Sequence, residues 1–483
     1  LCSYDGVLVA RAASIDTVGR MRRTLLSLAA ASAIVLALPA TASATLYGFE
    51  SNAELVNGNR SLEQRTETIA GMSNAGAQVL RINVGWNEVA GGCAGQSPAA
   101  LKNNNNSCYD WRVFDQVVDL ARDRKLQVLA SVSRAPVWLH GRTDSSFLGN
   151  SNKQWVYSVS HYSSFMFAAA RRYRAGSSYG HVRLWTVWNE PNSDVYLSPQ
   201  KSLFQQRRTA ARYAQLLGRT SVQIKKANRF ALVAAGPTGP SGGSKGTPPI
   251  TFLARVQANL PRFLPGAGLF ERRWIDAWAH NPYPGATIAP SKGKIKAPKV
   301  GMTNIRDLFT QLDRSPITRR KPVWATEFSY ESNPPDPQYG ISQYLQGRFM
   351  AESFDWLDRT KRVPIAIWYG YRDGDDIVND WQSGVLFNDG RRKQAFYWFQ
   401  RPIALNTSSV RRGQSVRVFA RSAVSPRSTR IAWSENGRTW RILPAKGRRR
   451  DGSQVQSVRV YRKTWFATWD GKRGPMRVVN VRR

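Results

Sequence analysis

What the chain lacks narrows its class first. Only three of its 483 residues are cysteine. That is too few for a disulfide lattice, and a chain of this length can bury a core without one. The longest apolar run, 25–38, is shorter than the roughly 20 residues of a membrane span, so no span is expected in the mature chain. No glycine-rich phosphate loop follows an early strand-like run, which counts against a nucleotide fold, and no internal repeat is present. Acidic residues are scarce, with 32 Asp+Glu against 70 Lys+Arg and a formal net charge of +38. Apolar residues are not scarce. A 42% hydrophobic content, with 17 Trp, 17 Tyr and 19 Phe, excludes a wholly disordered polymer. The charge invites nucleic acid, an acidic surface or an acidic polymer as partner. Its basic residues are dispersed and carry no nucleic-acid-binding signature, so no specific nucleic acid is expected.

The N-terminal region reads as targeting. Met21-Arg22-Arg23 opens a basic stretch, the apolar run follows, and Pro39 and Ala42-Ser43-Ala44 complete the pattern of a secretory cleavage site. Residues 21–44 are therefore expected to be a signal peptide, with an uncleaved anchor as the alternative. Residues 1–20 read as an over-extended gene-call segment. The expected location is extracellular, in the medium or at the cell wall. Cys93 and Cys108 then flank fourteen residues of Gly- and Asn-rich loop. In an oxidising compartment a bridge there would contribute about 3 kcal/mol on the chain-entropy model. A metal site is the alternative, and it lacks nearby histidines.

From Thr45 onward, short apolar runs alternate with amphipathic stretches. Strands are expected at 46–49, 79–84, 127–132, 184–188, 231–235, 275–279, 322–326 and 364–369. Helices are expected at 110–125, 203–227, 252–260, 303–312 and 341–357. Eight such units in about 350 residues predict a (β/α)8 TIM barrel over 45–400, with a doubly wound sheet as the lesser alternative. Beyond residue 400 the helical period vanishes. Alternating runs at 415–420, 429–433, 439–443, 455–461, 464–468 and 476–481 predict a small all-β, sandwich-like domain over 401–483. Asn436-Gly437 is its clearest hairpin signal. The Gly/Pro-rich stretch 236–249 reads as a mobile loop between the fifth strand and its helix.

A barrel carries its chemistry at the carboxyl ends of its strands. The fourth run ends in WNEPN with Glu190, and the seventh in TEF with Glu327. A lone strand-end glutamate is usually a solvated loop residue or an ion-pair partner. Two of them, on opposite sides of one mouth and set among aromatics, suit glycoside hydrolysis, which needs one acid and one anion. Trp86, Trp138, Trp188, Tyr283, Trp368 and Tyr369 also fall at strand ends, where a ring either stacks on a sugar face or fills the core. His280 either lines the site or is a buried structural histidine, and Glu50 is a candidate third carboxylate. Asp373, Asp375, Asp376 and Asp380 read as a solvated acidic loop or a subsite reaching basic neighbours, with Ca²⁺ as a further alternative.

WNEPN and TEF, with VLRIN at 79–83, AHNPYP at 279–284 and IWY at 367–369, resemble the retaining glycoside hydrolases of clan A, most closely families 39 and 5. The resemblance runs through nearly all of 45–400. It implies a TIM barrel, double displacement through a glycosyl-enzyme and no cofactor. It further implies Glu190 as acid/base and Glu327 as an ionised nucleophile supported by Arg81. Asn189 would hold the sugar 2-hydroxyl, while His280, Tyr283, Trp138 and Trp368 would line the substrate site, Trp368 as the aromatic platform. Families with this framework act on xylosides, glucans, mannans, iduronides and bacterial exopolysaccharides, so the expected partner is a poly- or oligosaccharide. A catalytically silent carbohydrate- or wall-binding barrel is the alternative. Of the charge, 401–483 holds 21 basic and 3 acidic residues. That excess is either a solvated face or a site for an anionic wall polymer or acidic polysaccharide.

Overall fold

Eight parallel strands close into a barrel in the computed structural model, which describes residues 45–482 apart from 57–58, 150, 245, 267–271 and 450. The segments 1–20 and 21–44 lie outside the described residues. The strands are β1 (Leu46–Glu50), β2 (Val79–Gly85), β3 (Gln127–Ser133), β4 (Leu184–Val187), β5 (Leu232–Thr238), β6 (Ala277–His280), β7 (Val323–Phe328) and β8 (Ile365–Tyr369). Each pairs with the next, and β8 closes on β1 with Leu46 opposite Ile365. The closure is tight at β1. A side chain on Gly48 would sit 1.7 Å from the Val79 carbonyl oxygen, so only glycine lets β1 and β2 approach there.

Helices cover the outside. Leu203–Ala227, Pro249–Asn259, Ile305–Leu312 and Gln343–Thr360 fall close to the expected positions. Leu62–Ala75 and Asn152–Arg172 escape a periodicity reading for a physical reason. The first offers only Ile69, Met72 and Ala75 to the core besides polar residues, and the second buries Ser158, His161, Ser163 and Ser164 on its apolar face. Their ends are nonetheless marked in the sequence. Ser61 and Ser151 each accept a hydrogen bond from a first-turn amide, from Gln64 and Gln154 at 3.1 Å.

Inside the barrel, alternate residues form a small apolar cluster: Val79, Leu129, Leu184, Ala234, Ala277, Ala279, Ile365 and Ile367. The period of two carries the same face upward to Arg81, Ser131, Thr186, Asn281 and Tyr369. The interior is thus oily toward the strand starts and polar at their carboxyl ends. A polar inner layer is affordable only where the groups bond one another or a ligand.

Eight further strands follow the barrel. Ile403–Leu405, Ser415–Ala420 and Gln454–Arg459 make one antiparallel sheet. Ser409–Arg411, Arg430–Ser434, Arg441–Ile442, Thr464–Trp469 and Arg473–Arg482 make a second, mixed sheet, in which Ser409–Arg411 runs parallel to Arg473–Arg482. Their inner faces meet on Val416, Val418, Ile431, Phe466 and Val479, giving the sandwich. Arg430–Ser434 and Arg441–Ile442 pair as the hairpin signalled by Asn436-Gly437, and Asn436 Oδ1 accepts from the amides of Arg438 and Thr439, both at 2.8 Å. The sandwich does not stand apart from the barrel. Its core cluster includes Ala351 and Trp398 from barrel helices, Arg421 lies 4.1 Å over the ring of Tyr47, and Ala423 packs on Gly76.

Candidate active site

At the barrel mouth one guanidinium gathers residues from four strand ends. Arg81 on β2 is fully buried; its Nη1 pairs with both Glu50 on β1 and Glu327 on β7. Its Nη2 donates to Asn83 Oδ1 at 2.9 Å and to Asn189 Oδ1, just beyond β4, at 3.0 Å. Tyr283, in the loop after β6, donates its hydroxyl to the other oxygen of Glu327 at 3.2 Å. Asn281 donates Nδ2 to Glu190 Oε1 at 2.8 Å, and its own Oδ1 accepts from Thr326, the residue before Glu327. Asn281 thereby ties the two carboxyl-bearing strand ends together.

The backbone at β4 explains how Glu190 reaches the mouth. Trp188 and Glu190 both take positive φ, 72° and 36°, so the chain turns sharply as it leaves the strand. Such conformations are costly for non-glycine residues and need support. It comes from Trp188, whose Nε1 donates to the Tyr196 carbonyl at 2.6 Å, and from the Ser193 amide on the Glu190 carbonyl at 2.8 Å. Opposite, a side chain on Gly239 would come within 2.7 Å of Glu190 Oε2, so any larger residue there would displace the carboxyl. Part of the stretch 236–249, expected as a mobile loop, is built into the barrel and its mouth. Residues 236–238 complete β5, and Asn192 Nδ2 clamps the carbonyls of Gly239 and Thr247 at 3.2 and 3.0 Å.

Charge is crowded here. Burial raises the Glu190 carboxyl to about 7, and the negative charge of Glu327 adds to the rise against the Asn281 hydrogen bond. Burial likewise lifts Glu50 to about 8, with Arg81 opposing and Glu327 assisting. Arg81 loses by burial but is held well above its ordinary value by Glu327 and Glu50. Near neutral pH the mouth therefore offers a carboxyl able to give a proton beside a carboxylate fixed by a cation and a phenol.

Three of the expected lining residues sit elsewhere. Trp368 is fully buried, its Nε1 on the Ser383 carbonyl at 2.8 Å and its ring edge-on to Phe328, so it has no face to offer a sugar. Trp138 donates to the Ala90 carbonyl at 2.7 Å and packs against Trp86 and His161. His280 is the structural histidine of the two readings. Its Nδ1 meets Thr238 Oγ1 at 2.9 Å and Nε2 the Val300 carbonyl at 3.2 Å, and burial lowers it to about 4. Its neighbour Asn281 is the residue that touches Glu190. Strand alternation from Ala277 and Ala279 would have found it, because the odd positions of this strand face inward. An exposed ring near the carboxylates is Trp381, lying 5.4 Å from the Tyr283 ring.

Outside the mouth, Cys93 and Cys108 are disulfide-bonded. The aspartates after β8 are occupied by the chain itself. Asp373 forms a buried pair with Lys393 at 2.6 Å, and Asp375 accepts from Asn388 at 2.7 Å. Among the described residues no group of three or more His, Cys, Asp or Glu is placed to hold a metal ion.

Residues 300–399, which include β7 and β8, match the family model described as the glycosyl hydrolase catalytic core. In fold the chain is similar to a family 39 glycoside hydrolase from the gut symbiont Bacteroides cellulosilyticus WH2, at 16% identity over 86% of this chain and 79% of that one, TM-score 0.55. It is similar also to a glucosidase from Croceicoccus marinus, at 12% identity over 86% and 81%, TM-score 0.53. No curated protein sequence matches the chain. Barrel, paired carboxyl groups and matched core define a glycosidase by class. The likeness to clan A, and to family 39 within it, holds at the level of the fold.

Proposed function

We propose that the protein is a secreted retaining glycosidase that cleaves O-glycosidic bonds of a poly- or oligosaccharide by double displacement. The observation that carries this reading is the asymmetry of the two carboxyl groups. Glu327 is gripped by Arg81 and Tyr283, while Glu190, raised to about 7, keeps a proton close to neutrality. Glu327 attacks the anomeric carbon, and Glu190 protonates the departing oxygen. Once Glu327 is esterified its charge is gone, so Glu190 ionises more readily and takes a proton from the incoming water. Asn189, oriented by Arg81, holds the sugar 2-hydroxyl as the oxocarbenium-like state develops.

Azide rescue tests the roles. On an activated aryl glycoside Glu327→Ala should lose turnover by about 10⁴-fold or more, and Glu190→Ala by about 10²–10⁴-fold, chiefly in hydrolysis of the glycosyl-enzyme. Azide should restore the first with an inverted glycosyl azide and the second with a retained one. Full activity in Glu327→Ala ends the assignment.

Secretion is supported by the leader-like pattern of 21–44 and by the Cys93–Cys108 bridge, which suits an oxidising compartment. Mass spectrometry of protein recovered from the medium should find Thr45 at its N-terminus. The sandwich is read as a holdfast for an anionic wall polymer or acidic polysaccharide. Arg412, Arg462, Lys463 and Arg482 surround the half-exposed ring of Tyr461 on its surface. Retention on such a polymer should fall steeply with salt and disappear when these four cations become serine.

A further inference from the structure

Between the loops that follow β5, β6, β7 and β8 lies a cleft of about 610 Å³. Tyr283, Tyr330, Tyr339, Trp381, Ile377 and Val378 are among the residues that line it. Three of these are strongly exposed for apolar side chains, Val378 at 80%, Ile377 at 48% and Trp381 at 46%, and they lie together in a loop otherwise rich in aspartate. Large apolar groups left in water on a charged loop mark a contact surface.

Carboxylates also line the cleft, and each has an oxygen engaged by a backbone amide. Glu331 accepts from the Gln382 amide at 2.9 Å, Asp336 from the Gln338 amide at 2.7 Å, and Asp380 from the Asp376 amide at 3.1 Å. Of the buried polar atoms in the wall, one is without a partner. Ser329 is 4% exposed, and its Oγ has no hydrogen-bond partner. A further sugar ring would bring several hydroxyl groups, each of which costs free energy if left unpaired. An aryl or alkyl group brings none.

The cleft adjoins the reacting centre through Tyr283 and, one residue removed, through Pro240. Tyr283 holds Glu327 with its hydroxyl while its ring forms the cleft wall against Trp381. Pro240, also in the wall, follows Gly239, which packs on the Glu190 carboxyl. In the glycosidase reading the leaving group departs past Glu190, whose carboxyl lies against Gly239, next to Pro240 of the wall. We infer that the cleft between the β5, β6, β7 and β8 loops receives an apolar aglycone, an aryl or alkyl group carried on the leaving oxygen of the substrate. This inference rests on the glycosidase reading of Glu190 and Glu327 and goes beyond its saccharide substrate by assigning an apolar group to the leaving side.

Two measurements test it. The first is kcat/KM of the intact protein on methyl, butyl, hexyl and octyl glycosides that share one sugar. The rate constant should rise about two- to fourfold per added methylene. Ile377→Ser combined with Val378→Ser should flatten that slope; a flat series in the unaltered protein overturns the inference. The second uses a sugar-free probe, hexan-1-ol, followed by titration calorimetry. Binding in the millimolar range, weakened at least fivefold in the double variant, supports the cleft as an apolar site, and no binding counts against it. If hexanol binds and weakens as stated but no glycoside is cleaved, the glycosidase reading fails and takes the aglycone role with it. If glycosides are cleaved without regard to chain length, only the cleft assignment falls.

Discussion

At the barrel mouth three carboxyl groups, Glu50, Glu190 and Glu327, surround a single cation, Arg81. Along the helix Gln343–Thr360, which faces the sandwich, the proportion is reversed. Glu352 meets Arg348 and Arg477, Asp355 meets Arg359 and Arg417, and Asp358 meets Lys361 and Arg449. The three carboxylates stand three residues apart, on one face, and each is shared between a cation of its own helix or the turn after it and an arginine of the sandwich. The mouth is short of positive charge in a protein that carries +38 overall. Burial, with the charge of Glu327 beside it, leaves a proton on Glu190 near neutral pH, and the single cation does not offset it. The seam has positive charge to spare and uses it to join two packed bodies. Part of the arginine excess of 401–483 is therefore an attachment surface, separate from any polymer-binding role.

The sharpest way to break this comparison is to remove one arginine from each place. Arg81→Met leaves Glu50 and Glu327 buried without their cation, and breaking a buried pair costs about 3–5 kcal/mol. Urea unfolding at pH 7 should show that loss, and turnover should fall with it. Arg417→Met should cost about 1 kcal/mol or less, because Asp355 keeps Arg359. Equal losses in the two variants would mean that the stoichiometry of charge does not govern either cluster.

A smaller effect has a sign that can be worked out. In the folded protein Glu190 titrates at about 7, above the ordinary carboxyl value near 4.5. Over that interval the unfolded chain has shed its proton while the folded one keeps it, so stability falls as pH rises from about 4.5 to 7 and then levels off. Glutamine does not titrate. Glu190→Gln should thus be more stable than the parent by about 2–3 kcal/mol at pH 8, and no more stable at pH 4. Thermal unfolding at the two pH values reads the difference. The same group should set the alkaline limb of kcat/KM. Asn281→Ala removes a bond that favours the charged form, so that limb should move to higher pH. Movement to lower pH would show that Asn281 acts otherwise.

The barrel was legible because strand period and spacing survive in a single sequence. The carboxylates were legible because strand ends of a barrel are few. Trp368 and His280 were misplaced for one shared reason: a strand end has an inner and an outer face, and reading residue type without the period of two does not choose between them. Asn281, sitting inward in the same AHNPYP segment, was overlooked on that account. Trp381 belongs to a different case. Nothing periodic places a loop residue twelve positions beyond its strand, and its role emerges only when the loop folds back over Tyr283. The seam was hidden most completely. Its six cations and three carboxylates are scattered from Arg348 to Arg477, and charge counting can register the excess of arginine but not what each one meets.

The finest test grades the seam by burial. Arg477 is 4% exposed at its side chain, Arg417 25% and Arg449 31%. A more buried ion pair is less screened and leaves a worse-solvated partner when broken. Alanine at 477 should therefore cost the most, about 1–2 kcal/mol, with 417 and then 449 following at under about 1 kcal/mol. Raising the salt to about 0.5 M should shrink the losses at 417 and 449 and leave most of the loss at 477. A series with no gradient, insensitive to salt, would assign the joint to its apolar contacts. In that case Trp398→Ala, which empties a core position shared by barrel helix and sandwich, should outweigh all three arginines together, at about 3–5 kcal/mol.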